Sequence, residues 1–434
     1  MLNGGGGLNA DGLSLDLQFA ADKTLTARKG PTPVFTRGST GTFVGSNGLI
    51  QTAAVNAARF DHDPVTLASR GLLIEESRTN AAFQSGAIVN NIGWVVSSST
   101  TGATSVASGT GPDSNTSYLI SESATTAPHG LYNTGTNTVT LGASVTSGVA
   151  YTASAFVKKV TGNIDWIQIL LGTGGFGSQY ANFNLTTGQF GNVSGLTTRV
   201  EEHANGWYRI SVTRNATVTT STTATFGVNF INNTNGTTSG PSYAGSTSNQ
   251  FLLTMCQFEA GSFPTSYIPT TTGSVVRSAD VCSITGDDFN RFYNSTSGTL
   301  LSEASISNLI GNNRGIVQVD NGTNESILRH LYSFGDGGFR SLIRAGGDTP
   351  TVLSTILGTA STIQKRIIAY EGTSFASVTN GGAVATATRT MPTGLNAMRI
   401  GNLTDGSFYL SGHVAAIRFY KKRLPNAKLV TLTT

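Results

Sequence analysis

The sequence is poor in charge, in cysteine and in long apolar runs. Charged residues make up 12% of the 434, against roughly 25% in an average soluble domain. Net charge is +4 and the longest basic run is Lys421-Lys422-Arg423. Phosphate backbones need clustered cations, so no nucleic-acid partner is expected. No window of about 18 apolar residues occurs, and the opening MLNGGGGLNADG lacks the basic start and apolar core of a secretory signal. Neither membrane insertion nor export by that route is expected. The two cysteines, Cys256 and Cys282, cannot build a disulfide framework. No CxxC or His/Cys cluster suggests zinc, so no cofactor or metal is expected and the cysteines read as buried, reduced thiols.

The usual catalytic words are missing too. Glycoside cleavage needs two carboxylates across one bond, yet Glu75-Glu76, Glu201-Glu202 and Asp287-Asp288 are adjacent pairs, which on a strand point to opposite faces. No GxSxG elbow occurs and the five histidines are scattered singly. Asp61-His62-Asp63 could offer oxygen ligands to calcium, but Asp beside Pro64 reads better as turn chemistry. No catalytic residue is assigned, and the chain is read as a non-enzyme. No repeat of fixed period points to a solenoid.

What the chain has is glycine, 53 of them, and 38% hydrophobic residues in short alternating runs set between Ser/Thr/Asn/Gly clusters. That balance predicts an all-β protein, with enough length for two or three units. Leu13, Leu15, Leu17 and Phe19 alternate with polar residues as a one-faced strand. The run from Ile164 to Leu171 is apolar on both faces and predicts a central strand, while Tyr208, Ile210 and Val212 share one face with Trp207 opposite. Asp320-Asn321-Gly322 and Asn380-Gly381-Gly382 are hairpin turns by composition. One short helix is expected over Pro425–Leu429, with Pro at its entry.

The most distinctive text is Phe35–Asn80, FTRGSTGTFVGSNGLIQTAAVNAARFDHDPVTLASRGLLIEESRTN. It resembles a segment near the N-terminus of bacteriophage head-spike and tail-fibre virion proteins, with Phe43 in place of the usual Tyr and His62 in place of the aromatic in RFDYDP. GWYRISVT (Gly206–Thr213), FEAGSFPTSYIPT (Phe258–Thr270) and VVRSADV (Val275–Val281) resemble the closing strands of the carbohydrate-binding-module-like jelly roll in those proteins. Met398–Thr433, with IGN, SGH, IRFY and RLPNAKL, resembles the end of a concanavalin-A-like or laminin-G-like domain.

The resemblance implies tandem β-sandwiches: a virion-attachment region with a flexible leader over 1–80, a carbohydrate-binding-module-like sandwich over 81–280 and a lectin-like sandwich over 281–434. It implies a virion fibre or spike of the head or tail on the particle surface, made in the host cytoplasm and trimeric, with a glycan depolymerase or a purely structural decoration protein as the alternatives. Its partners would be other virion proteins and host surface polysaccharide. A sugar site needs an aromatic plate beside polar groups; the candidates are the loops around Asp336 and Asp405 with Phe339 and Phe408, and Trp207 in the middle unit.

Overall fold

The computed structural model describes residues 12–90, 93–96, 103–133, 144–160, 164–220, 226–232, 234–309, 312–357, 359–404, 406 and 408–434. The glycine run Gly4–Gly7 of the expected leader lies outside these described residues.

Alternating apolar residues give strands, and the strands give two β-sandwiches. In the middle one, a six-stranded sheet runs Ala103–Thr110, Thr116–Glu122, Gln250–Ala260, Ala150–Lys159, Trp207–Asn215, Thr197–His203. A seven-stranded sheet faces it in the order Gln189–Val193, Gln179–Asn184, Trp166–Leu171, Phe226–Phe230, Gly130–Asn133, Gly93–Val96, Val89–Asn90. Trp166–Leu171 is central, as its doubly apolar pattern predicts. Trp94, Ile120, Ile169, Ile210, Phe226 and Phe258 fill the space between the sheets.

The second sandwich takes chain from both ends of the sequence. One sheet runs Ala385–Thr388, Ser374–Thr379, Gln364–Glu371, Ser297–Ile306, Gly412–Tyr420, Ser69–Ile74, Phe60–His62, with Leu13–Leu17 also pairing along Gly412–Tyr420. The other runs Val34–Thr36, Val281–Thr285, Ala397–Ile400, Arg314–Asp320, Ile327–Ser333, Gly338–Arg344, Thr351–Leu357. Leu15, Leu72, Ile284, Phe339, Met398 and Phe419 share its core. Burying each such side chain stabilises the fold by about 1.5–3 kcal/mol.

This corrects the expected separation of residues 1–80 from 281–434. Leu13 sits opposite Tyr420, Phe35 opposite Cys282 and Leu73 opposite His413. The apolar faces of these early strands have no sheet of their own and complete the later one. The middle sandwich is thus inserted between Ile74 and Val281. Chain leaves through Arg78–Asn80 and returns through Val275–Arg277, and these two crossings pair antiparallel.

Local chemistry behaves as the composition predicts at several points. Asn380 (φ 48) and Gly381 (φ 68) give the two successive left-handed residues a type I′ hairpin needs. Asp63 accepts N–H bonds from Val65 and Thr66 at 3.0 and 2.8 Å, the turn reading of DHDP. Both cysteines are free and fully buried, and burial pushes both thiols up. The C-terminal helix spans Asn426–Thr433, starting after Pro425. Asp287 and Asp288 are not on a strand; they lie in the first turn of a helix, Gly286–Phe292, where acidic side chains suit the helix N-terminus.

Candidate functional site

The signature words of Phe35–Asn80 converge on the junction of the two sandwiches. Arg59 is fully buried and donates from Nη1 to Thr42 O (2.9 Å), Glu75 Oε2 (2.7 Å) and Ser266 Oγ (2.8 Å), and from Nη2 to Asp280. Arg37 reaches the other oxygen of Asp280 at 3.2 Å, and Arg277 reaches Glu75 at 3.1 Å. Asp280 also accepts the Glu75 N–H at 2.8 Å. Burial alone would raise the Glu75 carboxyl; Arg277 and Arg59 outweigh it and hold the group well below the usual carboxylate range. Burial, and next the Arg59 charge, push the Arg37 guanidinium down. The motif residues are therefore a clamp: RFD, GLLIEE and RSAD each place a charge that only the others can neutralise.

Beside the clamp a cavity of about 420 Å³ opens between the sandwiches. That volume lies within the range of small-ligand pockets. One wall is the strand Thr197–His203, where alternation puts Arg199, Glu201 and His203 on one face. Arg199 donates to Glu201 at 2.6 Å. Burial would raise the Glu201 carboxyl, but Arg199 and then Arg209 bring it down to about 2. His203 is 5% exposed with Nδ1 unbonded, and burial depresses its imidazole to about 4.

The other wall holds Asp61, His413 and Ser411. Asp61 Oδ2 bonds His413 Nε2 at 2.7 Å, and Asp61 Oδ1 accepts the Val44 N–H at 2.6 Å. Ser411 is 2% exposed, its Oγ has no partner, and its backbone is left-handed at φ 45. At the mouth, Arg70 pairs with Asp63 at 2.8 Å; burial would raise Asp63, but the Thr66 and Val65 N–H groups and Arg70 bring it to about 2.

The sugar-site residues expected from sequence divide. Phe339 is fully buried; its ring packs on Tyr332 at 5.3 Å and under the Arg366 guanidinium at 5.6 Å, so it is core and not a plate. Trp207 is 2% exposed and packs with Phe156, Met255, Tyr267 and Ile50, because the hairpin of Gly41–Val44 and Ile50–Ala53 reaches this outer face of its sheet. Neither is a surface platform. Asp405 lies outside the described residues, and Asp336 ends the short 3-10 turn Phe334–Asp336. Phe408 is 38% exposed and Phe334 48%, and among the described residues they are the only exposed aromatics. Their loops fasten to one segment: Gly315 N–H bonds Phe408 O at 2.7 Å and Phe334 N–H bonds Asn313 Oδ1 at 2.9 Å. Phe334 and Phe408 are thereby both tied to the start of the strand Arg314–Asp320 in the second sandwich.

No family model matches the sequence, and no curated protein matches it. Among solved structures, the CBM40 of Ruminococcus gnavus IT-sialidase bound to α2,3-sialyllactose is 16% identical, covering 32% of this chain and 83% of its own, with TM-score 0.29. A heptameric SAP-like pentraxin from Limulus polyphemus is 12% identical over 32% of this chain and 70% of its own, TM-score 0.26. Trypanosoma rangeli sialidase is 11% identical over 76% of this chain and 61% of its own, TM-score 0.29. The likeness is one of fold. The reading of the sequence as a non-enzyme is not carried further: the solved structures aligned over 76% of the chain are those of sialidases.

Proposed function

We propose that this chain is a bacteriophage virion surface protein, a fibre or spike, that adheres to host surface polysaccharide through the loop end of its second sandwich. The virion role is supported by the signature words of Phe35–Asn80. Adhesion is supported by one observation above others: two exposed aromatic rings, Phe334 and Phe408, on loops fastened to the same short segment. Exposed rings standing alone are ordinary; two brought together beside polar loops offer the flat apolar faces that sugar rings stack on. Each stacked ring contributes on the order of 1 kcal/mol, so a single copy binds weakly. Several copies on a particle, in a homotrimer or along a fibre, turn weak contacts into firm attachment.

The test is glycan-array and host-cell binding of the full chain with Phe334→Ala and Phe408→Ala combined. The double variant is expected to lose binding roughly tenfold or more, two contacts of about 1 kcal/mol each, with its melting temperature within a few degrees of the parent. Unchanged binding sinks the assignment of this surface. Antibody labelling of intact particles tests the virion role, and particles free of the protein would reject it.

A further inference from the structure

The cavity of about 420 Å³ between the sandwiches is lined by buried polar groups that the fold leaves without partners. On the wall from the middle sandwich, His203 and Arg209 are both more than nine-tenths buried, and His203 Nδ1 and Arg209 Nε bond nothing. On the wall from the second sandwich, Ser411 is buried as deeply and its Oγ bonds nothing. Buried polar atoms are nearly always paired, so unpartnered atoms on both walls of one cavity call for something that fills it. Ser411 also holds a left-handed backbone at φ 45, which glycine adopts freely and serine only under strain. A strained residue whose side chain has no partner within the protein is arranged to meet one from outside. The walls themselves are already fastened together, since Arg199 donates across to Ser307 O at 2.9 Å.

The charges around the cavity are spent on one another. Asp61 is held by His413 at 2.7 Å, Asp63 by Arg70 at 2.8 Å and Glu75 by Arg277 at 3.1 Å. Glu201 is held by Arg199 at 2.6 Å and, more distantly, by Arg209 at 3.9 Å. Glu202, which is exposed, is a further lining carboxylate, so the charge left over is negative and an anionic ligand is disfavoured. What remains is neutral. Burial keeps the His203 imidazole uncharged, so its ring has one N–H and one lone pair, and the Ser411 hydroxyl likewise donates and accepts. Sugar hydroxyls bond in the same two ways, while Phe43, Val44, Ile50 and Phe263 supply apolar wall for the C–H faces of a ring.

We infer that this cavity binds a neutral saccharide of one or two rings, gripped between His203 and Arg209 on one sandwich and Ser411 on the other. The volume lies within the range of small-ligand pockets, which favour the seams between domains. The inference does not rest on the adhesion reading, whose surface is the pair of rings Phe334 and Phe408. A ligand bound here touches both sandwiches, so it stabilises their junction as well as occupying it.

The experiment titrates the full chain calorimetrically with glucose, galactose, N-acetylglucosamine and lactose, and with N-acetylneuraminic acid as the anionic probe. At least one neutral sugar is expected to bind and to raise the melting temperature, and the anionic one to bind at least tenfold more weakly. Ser411→Gly removes the hydroxyl together with the backbone strain. It should therefore bind the neutral sugar about 5–10-fold more weakly, the loss of one hydrogen bond, while melting no lower than the parent. His203→Phe keeps a ring and loses both nitrogens, with a similar loss of binding expected; should it fail to fold, Ser411→Gly decides alone. A parent that binds none of the neutral sugars, a Ser411→Gly variant that binds as the parent does, or equal affinity for N-acetylneuraminic acid overturns the inference. The combined Phe334→Ala and Phe408→Ala variant is titrated in parallel. If it keeps the sugar that Ser411→Gly loses, the cavity is the site whatever becomes of adhesion; if it loses the sugar and Ser411→Gly keeps it, the inference falls and the adhesion surface stands.

Discussion

His203 shows how one buried residue sets a response to pH. Its ring packs edge-on against Phe156 at 4.9 Å, and around it stand Glu201, Arg209, Asp61 and Arg70. Burial lowers the folded-state value from 6.5 to about 4. In the unfolded chain the imidazole takes its proton near pH 6.5; in the folded chain it stays neutral until about pH 4. The stability that His203 contributes is thus complete above pH 6.5 and is lost as pH falls from there to about 4, some 3 kcal/mol in all. Urea unfolding across that interval is expected to show the loss in the parent and a flatter profile in His203→Gln. Identical slopes in the two proteins would contradict the assignment. Nothing in the sequence around His203 announces this. Alternation along Thr197–His203 fixes which face the imidazole takes, but its surroundings include Asp61 and Arg70 of a distant segment as well as Phe156 of its own sheet.

Between single residues and the whole chain stand the elements, and here local text was a good guide to strands and turns. Trp166–Leu171 reads as central from its doubly apolar run, and the Asn380-Gly381 turn from the two residues that tolerate positive φ. Trp207 marks where such reading stops. Its phase opposite Tyr208 is plain in the sequence, yet whether that face meets water or a neighbour depends on a hairpin about 160 positions earlier in the chain, Gly41–Val44 with Ile50–Ala53. The pair Asp61 and His413, 352 positions apart, is beyond any spacing argument. The signature words carried meaning in the same non-local way: Arg59, Glu75 and Asp280 are unremarkable singly and become a clamp only when three segments meet. Cutting one partner leaves buried cations uncompensated, so Glu75→Gln is expected to destabilise the protein by about 3–5 kcal/mol, measured by denaturant unfolding. A loss below about 1 kcal/mol would mean that water reaches the clamp and satisfies it.

At the scale of the molecule, the inserted arrangement decides which pieces can fold. Residues 13–74 supply strands to both sheets of the second sandwich, so a fragment covering 1–80 is expected to be unfolded by circular dichroism and by amide dispersion in NMR. The middle sandwich owns its two sheets and core, so residues 81–274 alone should fold. Joining residue 77 to residue 278 through a short turn should leave the second sandwich intact, because the crossings Arg78–Asn80 and Val275–Arg277 already lie side by side. A folded 1–80 fragment, or an excised form that aggregates, would reject this division.

The pairing of Leu13 with Tyr420 also fixes how the protein answers force. A pull applied between these positions acts on two neighbouring ends of an antiparallel pair. It therefore peels Leu13–Leu17 from Gly412–Tyr420 one rung at a time, with no need to slide the strands past each other under full load. The middle sandwich hangs outside that line of tension, held by its paired crossings and by side contacts such as Arg199 to Ser307 O at 2.9 Å. A chain tugged through these positions would open the seam at low load while the inserted sandwich stayed slack.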